Sequence, residues 1–180
     1  MASIEIQEYS EDWSSLFREL GRRLREALGD VAVRIDHIGS TSIKGLGAKP
    51  VIDVQISVGQ IEPVDPIRIP LEQLGFVWRK DNPERTKRYF REKPGDRRTH
   101  IHVRRAGSWS EQFALLFRDY LRSHPADQRK YERVKRDLAA RYSNDRMKYT
   151  DGKNPILWEI MFRADRWEKK TGWEPGPSDA

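Results

Sequence analysis

His37–Ile–Gly–Ser–Thr–Ser–Ile–Lys–Gly–Leu–Gly–Ala–Lys–Pro–Val–Ile–Asp53–Val–Gln–Ile56 is the stretch on which the fold turns. Before it, residues 31–38 read as a strand that runs into Gly39. A glycine there lets the backbone approach a ligand closely. Ser40, Thr41 and Ser42 follow, and hydroxyls beside consecutive backbone N–H groups can hold phosphate oxygens. A loop of small residues then leads to a second strand at 51–58. In it Asp53 and Gln55 alternate with Ile52, Val54 and Ile56, so both polar side chains share one face. Asp53 thus projects from a rigid element, a suitable place for a divalent cation bridged to phosphate.

Working outward, residues 4–9 alternate and read as a short edge strand. Ser10 is the expected cap of a helix carrying Trp13, Leu16, Phe17, Leu20, Leu24 and Leu28 on one face, stopped by Gly29. The proline-rich residues 63–70 read as a loop before a short helix at 71–74. Strands are expected at 76–79, 87–91 and 99–104. From Ser108 the apolar period changes to 3.6, with Phe113, Leu116, Phe117, Tyr120 and Leu121 on one face. His124 and Pro125 end that helix, and two more are expected at 127–142 and 155–168. Strands first and helices last make this an α+β chain, a mixed β-sheet with flanking helices and a C-terminal helical extension. The expected division is an α/β core at 1–107, a helical cap at 108–172 and a frayed, disordered tail at 173–180.

A chain of 180 residues, 37% hydrophobic and 34% charged, has a modest core, which six Trp, six Tyr and six Phe enlarge. It has no cysteine, which excludes disulfides, thiolate zinc sites and cysteine nucleophiles. No apolar run is long enough for a membrane span and residues 1–9 lack a signal pattern, so a cytoplasmic protein without a membrane partner is expected. The net charge of +6 suits a phosphate-bearing partner. Acidic residues are interspersed among the basic ones, as Glu132 and Arg136 are at i,i+4 spacing. Nucleic acid is therefore not the expected partner, and a nucleotide or other small phosphate compound is. The oligomeric state is left open.

The Gly39–Ser40 turn, a gap of a dozen residues and Asp53 on a strand resemble the polymerase-β-type nucleotidyltransferase signature. In that signature a second acid follows two residues after the first. Here it is Gln55, whose amide can touch a metal but brings no charge, whereas two-metal phosphoryl transfer relies on anionic ligands. The strand expected to supply a third carboxylate carries His100 and His102 instead, two residues apart on one face. With His37 before the turn, three of the four histidines fall near the site. Such a set with Asp53 suits Zn²⁺ or Mn²⁺ better than Mg²⁺.

Four blocks, beginning at His37, Lys49, His100 and Leu116, together resemble the GrpB family of nucleotidyltransferase-like proteins over about residues 4–165. The resemblance implies that fold and a divalent metal, Mg²⁺ or Mn²⁺ with Zn²⁺ as the alternative. Related domains fused to dephospho-CoA kinases imply a nucleotide or coenzyme A context. Asp53, His100 and His102 are the candidate catalytic residues, and Asp53, Gln55 and His37 the candidate metal ligands. Gly39, Ser40, Thr41, Ser42, Lys49 and Arg118 are the candidate phosphate binders. Arg118 lies amid an apolar helical face and is either a buried salt bridge or a phosphate clamp. Three readings stand: metal-dependent nucleotidyl transfer from a nucleoside triphosphate to an unidentified acceptor, a catalytically degenerate nucleotide-binding module, and a different metal- or histidine-dependent enzyme on the same fold.

Overall fold

Strand β2 (Ile52–Val58) is flanked on both edges and covered on both faces, although every second side chain in it is polar. In this computed structural model, which describes residues 3–180, it pairs antiparallel with β1 (Ala32–Ile38) and parallel with β5 (Thr99–Arg105). β5 continues antiparallel into β4 (Lys87–Glu92), and β4 into β3 (Phe76–Trp78), giving a five-stranded mixed sheet in the order β1-β2-β5-β4-β3.

Val54, Ile56, Ile101, Val103 and Phe90 line one face, fully buried beneath α1 (Asp12–Leu28) and α2 (Asp65–Gln73). Trp13, Phe17, Leu24 and Leu28 are the stripe by which α1 joins this core. Each large aliphatic side chain buried here contributes ~1.5–3 kcal/mol. The other face carries the polar positions and is covered by α3 (Trp109–Ser123). Beyond α3, α4 (Pro125–Arg141) and α6 (Asn154–Thr171) build a second core around Leu116, Leu121, Tyr131 and Ile160, with α5 (Arg146–Gly152) between them. The architecture is the mixed α/β sheet with a C-terminal helical extension that the residue pattern anticipates.

Several expectations are corrected. Residues 4–9 form no strand; Gln7 makes one isolated bridge to Ala48. The 63–70 segment is not wholly a loop, because α2 begins at Asp65 with a proline in its first turn, where the missing N–H costs nothing. α4 likewise starts on Pro125 rather than after it. α5, seven residues long, was not anticipated.

The tail is the largest difference. Residues 178–180 run beside the outer edge of β1 instead of fraying. Ser178 Oγ accepts the Ile35 N–H at 2.8 Å, Asp179 Oδ2 accepts the His37 N–H at 2.9 Å, and the Ala180 N–H donates to the Ile35 carbonyl at 3.1 Å. These are the backbone groups an edge strand would leave unpaired. Gly21 in α1 makes room for the tail, since a Cβ there would lie 2.7 Å from the Ala180 Cβ.

Arg118 ties tail, sheet and helix together. Its guanidinium is 2.9 Å from Asp179, 2.7 Å from Asp119 and 3.6 Å from the wholly buried Asp36, and it donates to the His37 carbonyl at 3.1 Å. It is a buried salt bridge, turned away from the cavity described below. Arg118→Ala should lower the free energy of unfolding by about 3 kcal/mol, because it leaves buried carboxylates short of their counter-charge. Arg68→Ala, which removes exposed pairs on α2, should cost less than about 1 kcal/mol in the same urea titration.

Candidate active site

The β-register builds the site. Ile38, Asp53, His100 and Arg91 stand in one cross-strand row, and Asp36, Gln55, His102 and Tyr89 in the next. Because side chains alternate, these residues share one face of the sheet. In the second row α3 and β5 together satisfy Gln55: its amide nitrogen donates to the Glu111 carbonyl of α3 at 3.3 Å, and its oxygen accepts from Arg104 of β5 at 2.5 Å. Ser57, further along β2, donates to the Glu111 carboxylate at 2.5 Å. Asp53 lies past this cover and faces open space.

Asp53 Oδ1 is 3.1 Å from His100 Nδ1 and 3.6 Å from His102 Nε2. The ligand atoms of all three residues lie within 4.8 Å of one another, close enough to hold one ion. Burial alone would raise the Asp53 pKa, but the hydrogen bond with His100 and the close His102 imidazole overcome it and hold the carboxyl far below its ordinary range. Burial pushes His102 down to about 4 against the pull of Asp53, so the imidazole is neutral at pH 7. An ionised carboxylate and a neutral imidazole are the forms that bind metals. The remaining ring nitrogens, His100 Nε2 and His102 Nδ1, are buried without a hydrogen-bond partner among the described residues.

Gly39 closes one side. Its φ of 71° is left-handed, and a Cβ there would lie 2.6 Å from Asp53 Oδ2, so conformation and contact both demand glycine. Ser40–Ser42 then form a short 3-10 turn. Above the triad is a cavity of about 370 Å³, walled by Gly39, Ser40, Thr41, Lys49 and, from the helices, Phe117, Tyr131, Lys135, Tyr149 and Lys153. Its lysines lie against aromatic rings: Lys49 and Lys153 at 4.7 and 4.9 Å from the Tyr149 centroid, Lys135 at 4.9 Å from that of Tyr131. Burial lowers all three, Lys135 to about 7 and Lys49 to about 8, and their positive neighbours add to the effect on both of these.

Of the sequence candidates, Gly39, Ser40, Thr41, Lys49, Asp53, His100 and His102 meet in this cavity. His37 does not. Ile38 stands opposite Asp53, so His37 points to the other face, where it stacks on Phe17 at 4.7 Å and pairs with Thr41 Oγ1 at 3.0 Å. Gln55 is consumed by Arg104 and Glu111, so neither His37 nor Gln55 is a metal ligand in this geometry. Ser42 donates its hydroxyl to the Gly39 carbonyl at 2.6 Å. Arg88 and Arg91 pair with Glu62 and Glu92 outside the cavity. Lys135 and Lys153 were missed. Lys135 had a signal, since it stands between Tyr131 and Ala139 at i,i+4 spacing on the buried stripe of α4, where a lysine is out of place.

The model of the family described as "GrpB protein" matches residues 3–163. The UPF0157 protein YqkA of Bacillus subtilis is 37% identical over 92% of this chain, which spans 48% of that relative's length. A dephospho-CoA kinase of Mycobacterium bovis is 31% identical over 91% of the chain, which spans 46% of it. The crystal structure of the conserved protein GrpB from Enterococcus faecalis superposes with a TM-score of 0.82 at 32% identity, covering 91% of this chain and 100% of that one. Terminal uridylyl transferase 4 from Trypanosoma brucei with bound CTP gives 0.52 at 13% identity, over 97% of this chain and 60% of that one, a likeness of fold alone.

The buried Lys135 sets a pH signature. Its folded pKa, about 7, lies below the unfolded value of 10.5, so between those limits the unfolded chain holds the extra proton. Stability therefore rises with pH across that window. Lys135→Met removes this term. Its stability relative to the native chain should be greatest below pH 7 and decline by on the order of 3 kcal/mol by pH 10. Urea titrations of both proteins at pH 6.5 and 10 check this, and a pH-independent difference would contradict it.

Proposed function

The chain belongs to the GrpB protein family, and from that premise we propose that it binds a nucleoside triphosphate in the cavity above Asp53 and transfers the nucleotidyl group to an acceptor. One observation carries this reading: a glycine–serine turn, an ionised carboxylate with two imidazoles, and three lysines with no carboxylate within 4 Å among the described residues converge on one space of about 370 Å³. The fold likeness to a uridylyl transferase supports it.

In this reading the Gly39–Thr41 backbone and the Ser40 hydroxyl hold the phosphate chain at its turn. Lys49, Lys135 and Lys153 neutralise the β- and γ-phosphates and the charge that grows on the leaving group. Phe117, Tyr131 and Tyr149 offer ring faces to the base. An acceptor oxygen attacks the α-phosphorus, the new P–O bond forms, and the bond to the oxygen bridging to the β-phosphate breaks. Pyrophosphate departs with the electron pair, and an attacking hydroxyl releases its proton to water. A divalent cation held by Asp53, His100 and His102 would neutralise phosphate oxygens there, and one carboxylate with two imidazoles fits Mn²⁺ or Zn²⁺ better than Mg²⁺.

A second reading, nucleotide binding without transfer, is favoured by Gln55. The amide in place of the second acid is withdrawn from the cavity, so the three-residue ligand set contains a single carboxylate.

ATP with Mn²⁺ should raise the melting temperature by a few degrees, of order RT ln(1 + [L]/Kd) in stability at saturating ligand. Asp53→Asn should lose the Mn²⁺-dependent part of that rise. Pyrophosphate release in the presence of mixed small-molecule acceptors should fall at least ~100-fold in the same variant. A melting shift without pyrophosphate from any acceptor selects the binding-only reading, and a shift untouched by Asp53→Asn removes Asp53 as a ligand.

A further inference from the structure

The cavity does not end at Lys49. On the far side of that side chain lies a second, smaller cleft of about 130 Å³, bounded by Lys49, Arg98, Arg146, Gln7 and Glu5. Lys49 lines both spaces and is their common wall. Three segments distant in sequence hold the cleft in place. The Arg98 carbonyl accepts the Ile52 N–H at 3.1 Å, which pins Arg98 beside the start of β2. The Ile4 N–H donates to the Ser143 carbonyl at 2.7 Å, which draws the N-terminal segment across the approach to α5. Arg146 is the first residue of α5, behind the Asp145 cap.

Some basic side chains on the helices are met by acids, as in the networks around Arg136 and Arg163. Lys49, Arg98, Arg146 and Lys153 lie close enough to repel one another, yet none reaches a carboxylate within 4 Å among the described residues. Glu5 is the acid on the rim, and it is exposed and pairs with none of them. A fold that gathers cations without neutralising them keeps a place for an anion. At about 130 Å³ the cleft is much smaller than the cavity of about 370 Å³ beside it, a size that suits a single phosphate group. Two guanidinium forks and an ammonium match phosphate oxygens.

We infer that this second cleft seats a phosphate belonging to the acceptor, so that the acceptor is a small phosphomonoester whose attacking oxygen reaches past Lys49 to the triad. The anion seat stands on the cleft itself, and its assignment to the acceptor rests on the nucleotidyl-transfer reading. The product would be a phosphodiester or anhydride that retains that phosphate, with pyrophosphate as the other product.

Arg98→Ala/Arg146→Ala tests the inference. Neither side chain makes a hydrogen bond among the described residues, so the double variant should fold, with an unchanged melting temperature as the control. The probes are glycerol 3-phosphate, glycerol, and ATP with a methylene bridge between the α- and β-phosphates, which binds without transfer, all by calorimetric titration with Mn²⁺ present. Glycerol 3-phosphate should bind the analogue-loaded native protein at least about tenfold more tightly than the double variant, and glycerol should bind neither. The analogue itself should bind both proteins within about threefold. Equal affinity of glycerol 3-phosphate for both proteins would overturn the anion seat. A loss of about tenfold or more in analogue affinity would give the cleft to the nucleotide's own phosphates and overturn the acceptor assignment. If the analogue binds neither protein, nucleotide binding falls with the acceptor role, and the same comparison without nucleotide still decides the anion seat. Restoration of glycerol 3-phosphate binding by Arg98→Lys/Arg146→Lys would confirm that charge at these positions holds it.

Discussion

The polar side of β2 is turned into the protein, and that single constraint organises much of what surrounds it. Asp53, Gln55 and Ser57 alternate with aliphatic residues on a strand covered on both faces, and buried polar groups without partners are costly. Ser57 is met by Glu111, Gln55 by Arg104 and Glu111, and Asp36 on the neighbouring strand by Arg34 and Arg118. Supplying those partners brings α3 across the sheet in one orientation, with Glu111 and Arg118 buried on its inner side. Asp53 is the member that α3 does not reach. It is left to two histidines and to open space, and the cavity exists because the polar layer stops being satisfied there.

The same layer explains the tail. Arg118 needs more counter-charge than Asp36 provides, and β1 is an edge strand with free N–H groups. Asp179 serves both, accepting from Arg118 and from the His37 backbone, while Ser178 and Ala180 take up the groups of Ile35. The edge is thereby closed to pairing with another chain. The stretch from β1 to the Gly39 turn is also braced from the side opposite the ligand space, since Arg118 holds the His37 carbonyl and Arg122 the Ser42 carbonyl.

Charge is distributed with equal economy. Most acids and bases cancel locally, as on α4 and α6. A set of bases with no carboxylate within 4 Å among the described residues lies along one path, from Lys135 and Lys153 through Lys49 to Arg98 and Arg146. Partial burial makes the positive form of these lysines less favourable in the free protein, and an anion arriving among them restores it. The adjoining carboxylate and the neutral His102 imidazole suit a cation instead. The two halves of the space thus have opposite preferences, as a phosphate ester bridged to a metal requires.

What the sequence determined by itself follows from periods long enough to read. The alternation in β2 and the 3.6-residue stripes of α1 and α3 were legible, and so was the placing of Asp53 and Gln55, and of His100 and His102, on a common side of their own strands. α2 was obscured by its prolines, Pro66 in the first turn and Pro70 in the helix interior, and α5 was too short to show a period. Whether Asp53 and His100 would meet, and whether His37 would join them, depended on register between strands far apart in the chain. A shift of one residue reverses every side chain, and local sequence does not contain it. Tertiary structure decided that Ile38 stands opposite Asp53, which turned His37 into the apolar core, and that Asp53 stands beside His100. It also brought Lys135 and Lys153 over the cavity, and Arg98 to Arg146, from segments far from the site in sequence. The Gly39–Ser42 turn and Asp53 mark where the pocket lies, and the packing of the helical half upon the sheet decides what charge it presents.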